Sequence, residues 1–255
     1  MSPEIPRLLT ALPVYNEESH VASVLTEVLQ HVSDVLVVND GSTDRTAASL
    51  ASLFPQVVVR THPENRGYGA ALQTAFEYAL TNGYEVLVTM DCDGQHQPSF
   101  LNEIAALVDD PAAPVDMVSG SRYLAEFDDN TRPPEERRRI NSRITACLRE
   151  KLGLKITDAF CGFKAYRVSA LADLEITDNG YAMPLQLWVQ AVDLGWRIRE
   201  FPVPRVYLDE TRSFGGSLDD GNVRLNHYRS VLNEELRRRG MKQRLTADCG
   251  SPEVL

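Results

Sequence analysis

The chain has 255 residues, 43% hydrophobic and 24% charged, a globular composition with enough apolar residues for a sizeable core, which excludes a largely disordered or fibrous chain. Its formal net charge of −10 excludes a nucleic-acid binder held by a general basic field, so any anion it takes must meet a local cluster of cations. The four cysteines form no C-x-x-C pair, the N-terminus has no basic segment before a long apolar stretch, and no run is apolar enough to span a bilayer. The expectation is a reduced, cytoplasmic protein without structural zinc, soluble or peripheral at the cytoplasmic membrane face.

In chain order, "RLLTALPV" (7–14), "DVLVVND" (34–40), "QVVVR" (56–60), "YEVLVTM" (84–90) and "VDMVSGS" (115–121) are continuous Val/Leu runs, as expected of parallel strands covered on both faces. Between them, Val21, Val24, Leu25, Val28, Leu29 and Val32 form the stripe of an amphipathic helix. Residues 42–53 predict a second helix with Ser42 and Thr43 as N-caps, and 67–80 a third. Strand and helix in alternation predict βαβ units in a mostly parallel, doubly wound α/β sheet over residues 5–122.

The pattern then changes. Residues 123–139 read as a polar, Arg-rich loop, "INSRITACLREKLG" (140–153) as an amphipathic helix, 162–168 as a strand, 183–195 as a helix, 196–203 as a strand and 222–239 as a last helix. Residues 1–239 are expected to form one domain, with a ligand-binding half at about 5–122 and a second half at 123–239. The segment 240–255 shows no period and is expected to be a loose tail.

In such sheets the ligand sits beyond the carboxyl ends of the strands. The residues there are "PVYNEE", "NDGSTD", "NRGYG", "DCDGQHQ" and "SRY". Gly67 and Gly69 make a weak dinucleotide fingerprint, because position 72 is Leu. Asp91 and Asp93 are the sharper signal. On alternate positions of an extended segment they point the same way, and two close anions repel unless a cation lies between them. Oxygen ligands select Mg²⁺ or Mn²⁺, which keep open positions for phosphates; Gln95 is a third oxygen donor, and His96 either joins the shell or lines the loop.

"LPVYNEE", "VVNDGSTDRT", "NRGYGAAL", "MDCDGQHQP", "GSRY", "TDAFCGFKAYR" and "RSFGGS" resemble, in order and spacing, the family 2 inverting glycosyltransferases of the A fold (GT-A). The similarity is to their dolichol-phosphate mannosyltransferase-like, polyprenyl-phosphate branch, over roughly residues 5–235. The resemblance implies a GT-A fold, with a C-terminal elaboration on the acceptor side. It implies that Pro13, Tyr15 and Glu17 hold the nucleoside end of a nucleotide-sugar donor, that Val38 and Asp40 contact its base and ribose, and that Asp91, Cys92, Asp93 and Gln95 meet the metal and diphosphate. Arg122 then faces the sugar or phosphate, Arg139 the acceptor phosphate, and Arg212 with Gly215 and Ser217 forms a loop closing over the diphosphate. Two positions depart from the pattern: Leu218 stands where relatives usually have Lys, and Gln186 where they often have Glu.

The implied reaction is metal-dependent transfer of a hexose, from a GDP-mannose or UDP-glucose type of donor, to a polyprenyl or dolichyl phosphate. Asp91, Asp93 and Arg212 would stabilise the leaving diphosphate. An ionised phosphate nucleophile needs no general base; for a hydroxyl acceptor Asp158 is the candidate base, or else it organises Lys164 or an arginine. The alternatives are the same donor chemistry on a soluble acceptor, or nucleotide-sugar binding without turnover. Residues 132–155 hold eight basic against three acidic residues, with Ile140, Ile144, Leu148 and Leu152 on one helical face. That pattern fits either a peripheral contact with an anionic membrane or a helix packed on the sheet with a solvated basic face.

Overall fold

β1 (Leu8–Val14) and β2 (Val35–Asn39) are buried along nearly their whole length, as continuous apolar runs require. Their side chains alternate between two cores: Leu36 and Val38 enter the one on the first face of the sheet, Val35 and Val37 the one on the second. The structure, a computed structural model, describes residues 6–128, 130–208 and 216–245.

α1 (Val21–His31) buries Val21, Val24, Leu25 and Val28, the stripe read from the sequence. α2 (Thr46–Leu53) begins later than expected, and neither Ser42 nor Thr43 caps it. Asp44 Oδ1 accepts the Thr46 N–H at 2.9 Å instead, because Ser42 and Thr43 are bonded to Asn16. β3 (Val58–Thr61), α3 (Tyr68–Thr81) and β4 (Val86–Thr89) follow as predicted. α4 (Leu101–Ala106) was not singled out in the sequence; six residues are too few for a repeating stripe. β5 (Met117–Ser121), α5 (Glu135–Leu152), β6 (Lys164–Arg167), α6 (Met183–Asp193), β7 (Ile198–Pro202) and α7 (Gly221–Arg238) complete the order.

The seven strands form one sheet in the order β3-β2-β1-β4-β6-β5-β7, parallel except for β6, which runs antiparallel to both neighbours. This is the expected mostly parallel α/β sheet with helices on both faces. α3, α5, α6 and α7 cover one face, where Trp188 is fully buried and donates from Nε1 to the Ala159 carbonyl at 2.9 Å. α1, α2 and α4 cover the other. Burying each large apolar side chain contributes about 1.5–3 kcal/mol. The strand order reverses at β1, with β2 on one side and β4 on the other, so the carboxyl ends of β1 and β4 open a crevice.

Of the two readings left open for residues 132–155, the structure shows the packed helix: α5 buries Ile140, Ile144, Leu148 and Leu152 in the core. One expectation is corrected. Residues 240–245 are not loose: Met241 is buried, and Lys151 Nζ donates to the Leu245 carbonyl at 2.9 Å. Cys92 and Cys161 are free and buried, and Cys147 lies in the buried face of α5.

Candidate active site

The first two loops at the crevice are bonded to each other. Asn16 takes φ +55°, a conformation Asn tolerates, and from it donates its N–H to Ser42 Oγ at 3.0 Å and accepts the Thr43 N–H on Oδ1 at 2.8 Å. Glu18 accepts the Arg45 N–H at 3.0 Å, and Asp44 accepts the Glu18 N–H at 3.1 Å. Most polar groups of "YNEE" and "GSTD" are therefore spent on loop geometry. Pro13, Tyr15 and Glu17 are left on a cavity of about 910 Å³, with Tyr15 exposed and Glu17 buried beside His20 Nδ1 at 3.1 Å.

Asp40 also reaches this cavity, but its carboxylate is fully engaged. Oδ1 accepts from His62 Nδ1 at 2.6 Å and from the Arg66 N–H at 2.9 Å, and Oδ2 accepts the Gly67 N–H at 2.7 Å. It fastens the loop before α3. Val38 does not line the cavity: it is fully buried, because the two-residue alternation of β2 turns it into the core.

β4 delivers Asp91, Cys92, Asp93 and Gln95 to the cavity wall. Asp91 Oδ1 accepts from the Tyr68 hydroxyl at 3.1 Å, and Oδ2 faces His96 Nε2 at 3.3 Å; Asp93 Oδ1 accepts the Gln95 N–H at 3.0 Å. Burial, and after it the Asp91 charge, push the Tyr68 phenol well above its ordinary pKa, so it stays a protonated donor. His96, buried against Phe163, supports Asp91 from behind. Gly162 faces the same carboxylate so closely that a Cβ there would lie 2.4 Å from Asp91 Oδ2.

Among the described residues no three His, Cys, Asp or Glu side chains are grouped to hold a metal. The pair of carboxylates with the Gln95 amide, on one wall of a roomy cavity and with a glycine leaving space at Asp91, fits an oxygen-liganded cation that fills its other positions with water or phosphate.

Arginines line the same cavity. Arg122 lines the cavity, but its Nε and Nη2 bond Asp158 at 2.6 and 3.0 Å and its Nη1 the Tyr207 hydroxyl at 3.2 Å. Asp158 is fully buried and also accepts from Asn141 Nδ2 and the Phe160 N–H. Burial alone would raise its pKa; the Arg122 charge and these hydrogen bonds outweigh that and hold the carboxyl well below the usual carboxylate range. Asp158 therefore organises an arginine and is unsuited to take a proton. Lys164 is engaged elsewhere, donating to Ser119 Oγ and to the Cys161 carbonyl, both at 2.6 Å.

Arg139 is exposed and outside the cavity, whereas Arg137, two residues earlier and so on another side of α5, lines it. Ser217 is likewise exposed, and its neighbour Leu218 lines the cavity. Arg212 and Gly215 lie outside the described residues. Gln186 does not line the cavity. Its Oε1 accepts the Thr177 and Asp178 N–H groups at 2.8 Å each, and its Nε2 donates to Glu235 Oε2 at 3.1 Å. No motif marks Arg224, in the first turn of α7, whose Nη1 bonds the Leu218 carbonyl and Nη2 the Glu136 carboxylate at 2.9 Å. Nor does any motif mark Tyr181, Phe160 or Tyr228, and only the G-x-G spacing points to Tyr68; Tyr68 pairs with Tyr181 and Phe160 with Tyr228, and all four line the cavity.

The sequence pattern described as "Glycosyl transferase family 2" matches residues 10–175. An undecaprenyl-phosphate mannosyltransferase of Micrococcus luteus is 33% identical over 87% of this chain and 93% of its own. A polyprenol monophosphomannose synthase of Mycolicibacterium smegmatis is 33% identical over 77% and 76%, and a dolichyl-phosphate hexose transferase of Haloferax volcanii 30% identical over 77% and 82%. Among solved structures, glucosyl-3-phosphoglycerate synthase from Mycobacterium tuberculosis, in complex with Mn²⁺ and UDP-glucose, superposes with a TM-score of 0.68 at 20% identity, over 92% of this chain and 79% of that one, which establishes likeness of fold.

Proposed function

The chain belongs to glycosyl transferase family 2 and is a glycosyltransferase, and from that premise we propose that it transfers a hexose, with inversion, from a nucleoside-diphosphate sugar to a polyprenyl phosphate. The observation that carries this reading is that one cavity is lined both by the carboxylates Asp91 and Asp93 and by the guanidinium groups of Arg122, Arg137 and Arg224. A donor diphosphate would bind with a divalent cation at the carboxylates, and an acceptor phosphate at the arginines. The names of three relatives, all acting on lipid-linked phosphates, support the acceptor class.

Mg²⁺ or Mn²⁺, held by Asp91, Asp93 and Gln95, would supply positive charge to the leaving diphosphate. This chain's residues do the rest. Pro13, Tyr15 and Glu17 orient the nucleoside end; Arg137 and Arg224 align the acceptor phosphate. An oxygen of that phosphate attacks the anomeric carbon in line. The new C–O bond forms as the bond to the donor diphosphate breaks, and the nucleoside diphosphate leaves with the electron pair. A phosphate monoester, with its second pKa near 6, is already ionised at neutral pH, so no base is needed. That agrees with Asp158 being locked to Arg122 and with Gln186 lying away from the cavity. The lipid acceptor must be met at a membrane surface, and among the described residues no helix is long and apolar enough to cross one.

The test is to incubate the purified protein with GDP- and UDP-sugars, Mn²⁺ or Mg²⁺, and either a short polyprenyl phosphate or a soluble sugar phosphate. Glycolipid formed only with the lipid acceptor and metal supports the reading. Donor binding without glycolipid or free sugar refutes it.

A further inference from the structure

We infer that Tyr68 is a positioning residue that fixes the Asp91 carboxylate for the divalent cation, and that Tyr181 holds Tyr68 in place. This rests on the metal-dependent reading above and assigns to it residues from both halves of the chain.

The placement begins with two glycines. Gly67, at φ +102°, and Gly69 flank Tyr68 at the start of α3; a Cβ on the first would lie 2.3 Å from the Asn179 carbonyl oxygen, and on the second 2.4 Å from that of Asp178. Only glycine at both positions lets this turn press against residues 178–180. The contact is closed by the Ala70 N–H, which donates to the Asn179 carbonyl at 3.2 Å, and by Gln73 Nε2, which donates to Asn179 Oδ1 at 3.1 Å. The opposing segment is itself anchored, through the Thr177 and Asp178 N–H groups, to Gln186 on α6.

Tyr68 stands between the two glycines and faces the cavity. Its ring stacks on Tyr181, with centroids 5.7 Å apart and planes 17° from parallel, and its hydroxyl donates to Asp91 Oδ1 at 3.1 Å. Asp91 thus has the Tyr68 hydroxyl at one oxygen, and His96 Nε2 and the bare face of Gly162 at the other. A carboxylate restrained from both sides is presented to a cation in one orientation. Partners of this kind, outside the ligand set, typically change metal affinity about 10–100-fold when removed. The stack on Tyr181 makes that orientation depend on the acceptor-side segment.

The experiment follows Mn²⁺ binding to the full chain, with GDP or UDP and no acceptor, by the loss of the free Mn²⁺ resonance. It compares the unaltered protein, Tyr68→Phe, Tyr181→Leu and the double variant, with thermal unfolding as the folding control. Tyr68→Phe keeps the ring and loses the hydroxyl; it is expected to weaken Mn²⁺ about tenfold or more. Tyr181→Leu should weaken it less, and the double variant should be no worse than Tyr68→Phe, because Tyr181 acts through that hydroxyl. Binding unchanged in Tyr68→Phe overturns the inference while the unaltered protein still binds. Additive losses overturn the part assigned to Tyr181. If the unaltered protein binds no Mn²⁺ with either nucleotide, the metal-dependent reading falls and takes this inference with it.

Discussion

Arg122 closes a two-pronged ion pair on Asp158, Nε to Oδ2 at 2.6 Å and Nη2 to Oδ1 at 3.0 Å, around a carboxylate that is fully buried. The pair joins the end of β5 to the segment before β6, so it braces the part of the cavity that Arg122 lines. Asp158→Asn leaves a buried guanidinium without its countercharge and should cost about 3–5 kcal/mol of stability, read by denaturant unfolding. The pH dependence has a definite sign. The folded carboxyl lies below its unfolded value, near 3.9, so its contribution is complete above that pH and is lost as pH falls towards the folded value. The unaltered protein should therefore lose stability below about pH 4, with a shallower loss in Asp158→Asn. Equal acid slopes would refute the linkage.

Gln186 stands where the family resemblance implies a carboxylate, and its surroundings show what the amide does. Its amide donates to buried Glu235 while its carbonyl accepts two backbone N–H groups. A glutamate cannot donate, and it would set a second anion against Glu235. Gln186→Glu should lower stability by about 1–3 kcal/mol without raising kcat. A gain in turnover would place position 186 in the chemistry after all.

Gly162→Ala should disturb the Asp91 carboxylate directly. The new Cβ would fall 2.4 Å from Asp91 Oδ2 and 2.7 Å from its Cγ, so the carboxylate must turn away from the Tyr68 hydroxyl and His96. Turned away, it no longer presents the cation site. Losing those hydrogen bonds should cost about 1–3 kcal/mol of stability, while kcat/KM at a temperature where the variant is folded falls by about 10–100-fold; a folded variant as active as the parent would argue against Asp91 as a metal ligand.

Arg224 reaches the cavity beneath Leu218 and bonds its carbonyl, at the corner where the expected lysine is missing. Arg224→Met should lower kcat/KM about tenfold or more, the loss of one charge-assisted hydrogen bond. Adding Leu218→Lys should recover part of it, because the new ammonium enters the same corner. Absence of rescue in a folded double variant would show that Arg224 serves the turn at 216–219 rather than the bound anion.

Much of this was legible in the sequence because it depends on neighbours along the chain. Short continuous Val/Leu runs match the strands β1 and β2, buried on both faces, whereas the run of β3 lies at the sheet edge and is half-exposed; the stripe of α1 fixes its inner face. Asp91 and Asp93 follow β4 directly, so their place at the sheet edge came with the strand.

What the sequence could not rank depended on partners distant in the chain. Arg139 and Arg137 are equal candidates until the apolar face of α5 is pinned by the core, which turns Arg137 inward. Asp40 and Asp158 look like free carboxylates until His62 and Arg122 arrive from 22 and 36 residues away. The sequence by itself determined the fold class, the family and the acidic edge of the sheet, since local periodicity and short motifs carry them. Only the tertiary structure decided which charges face the cavity, because a buried charge is stable only where its partners have been folded against it.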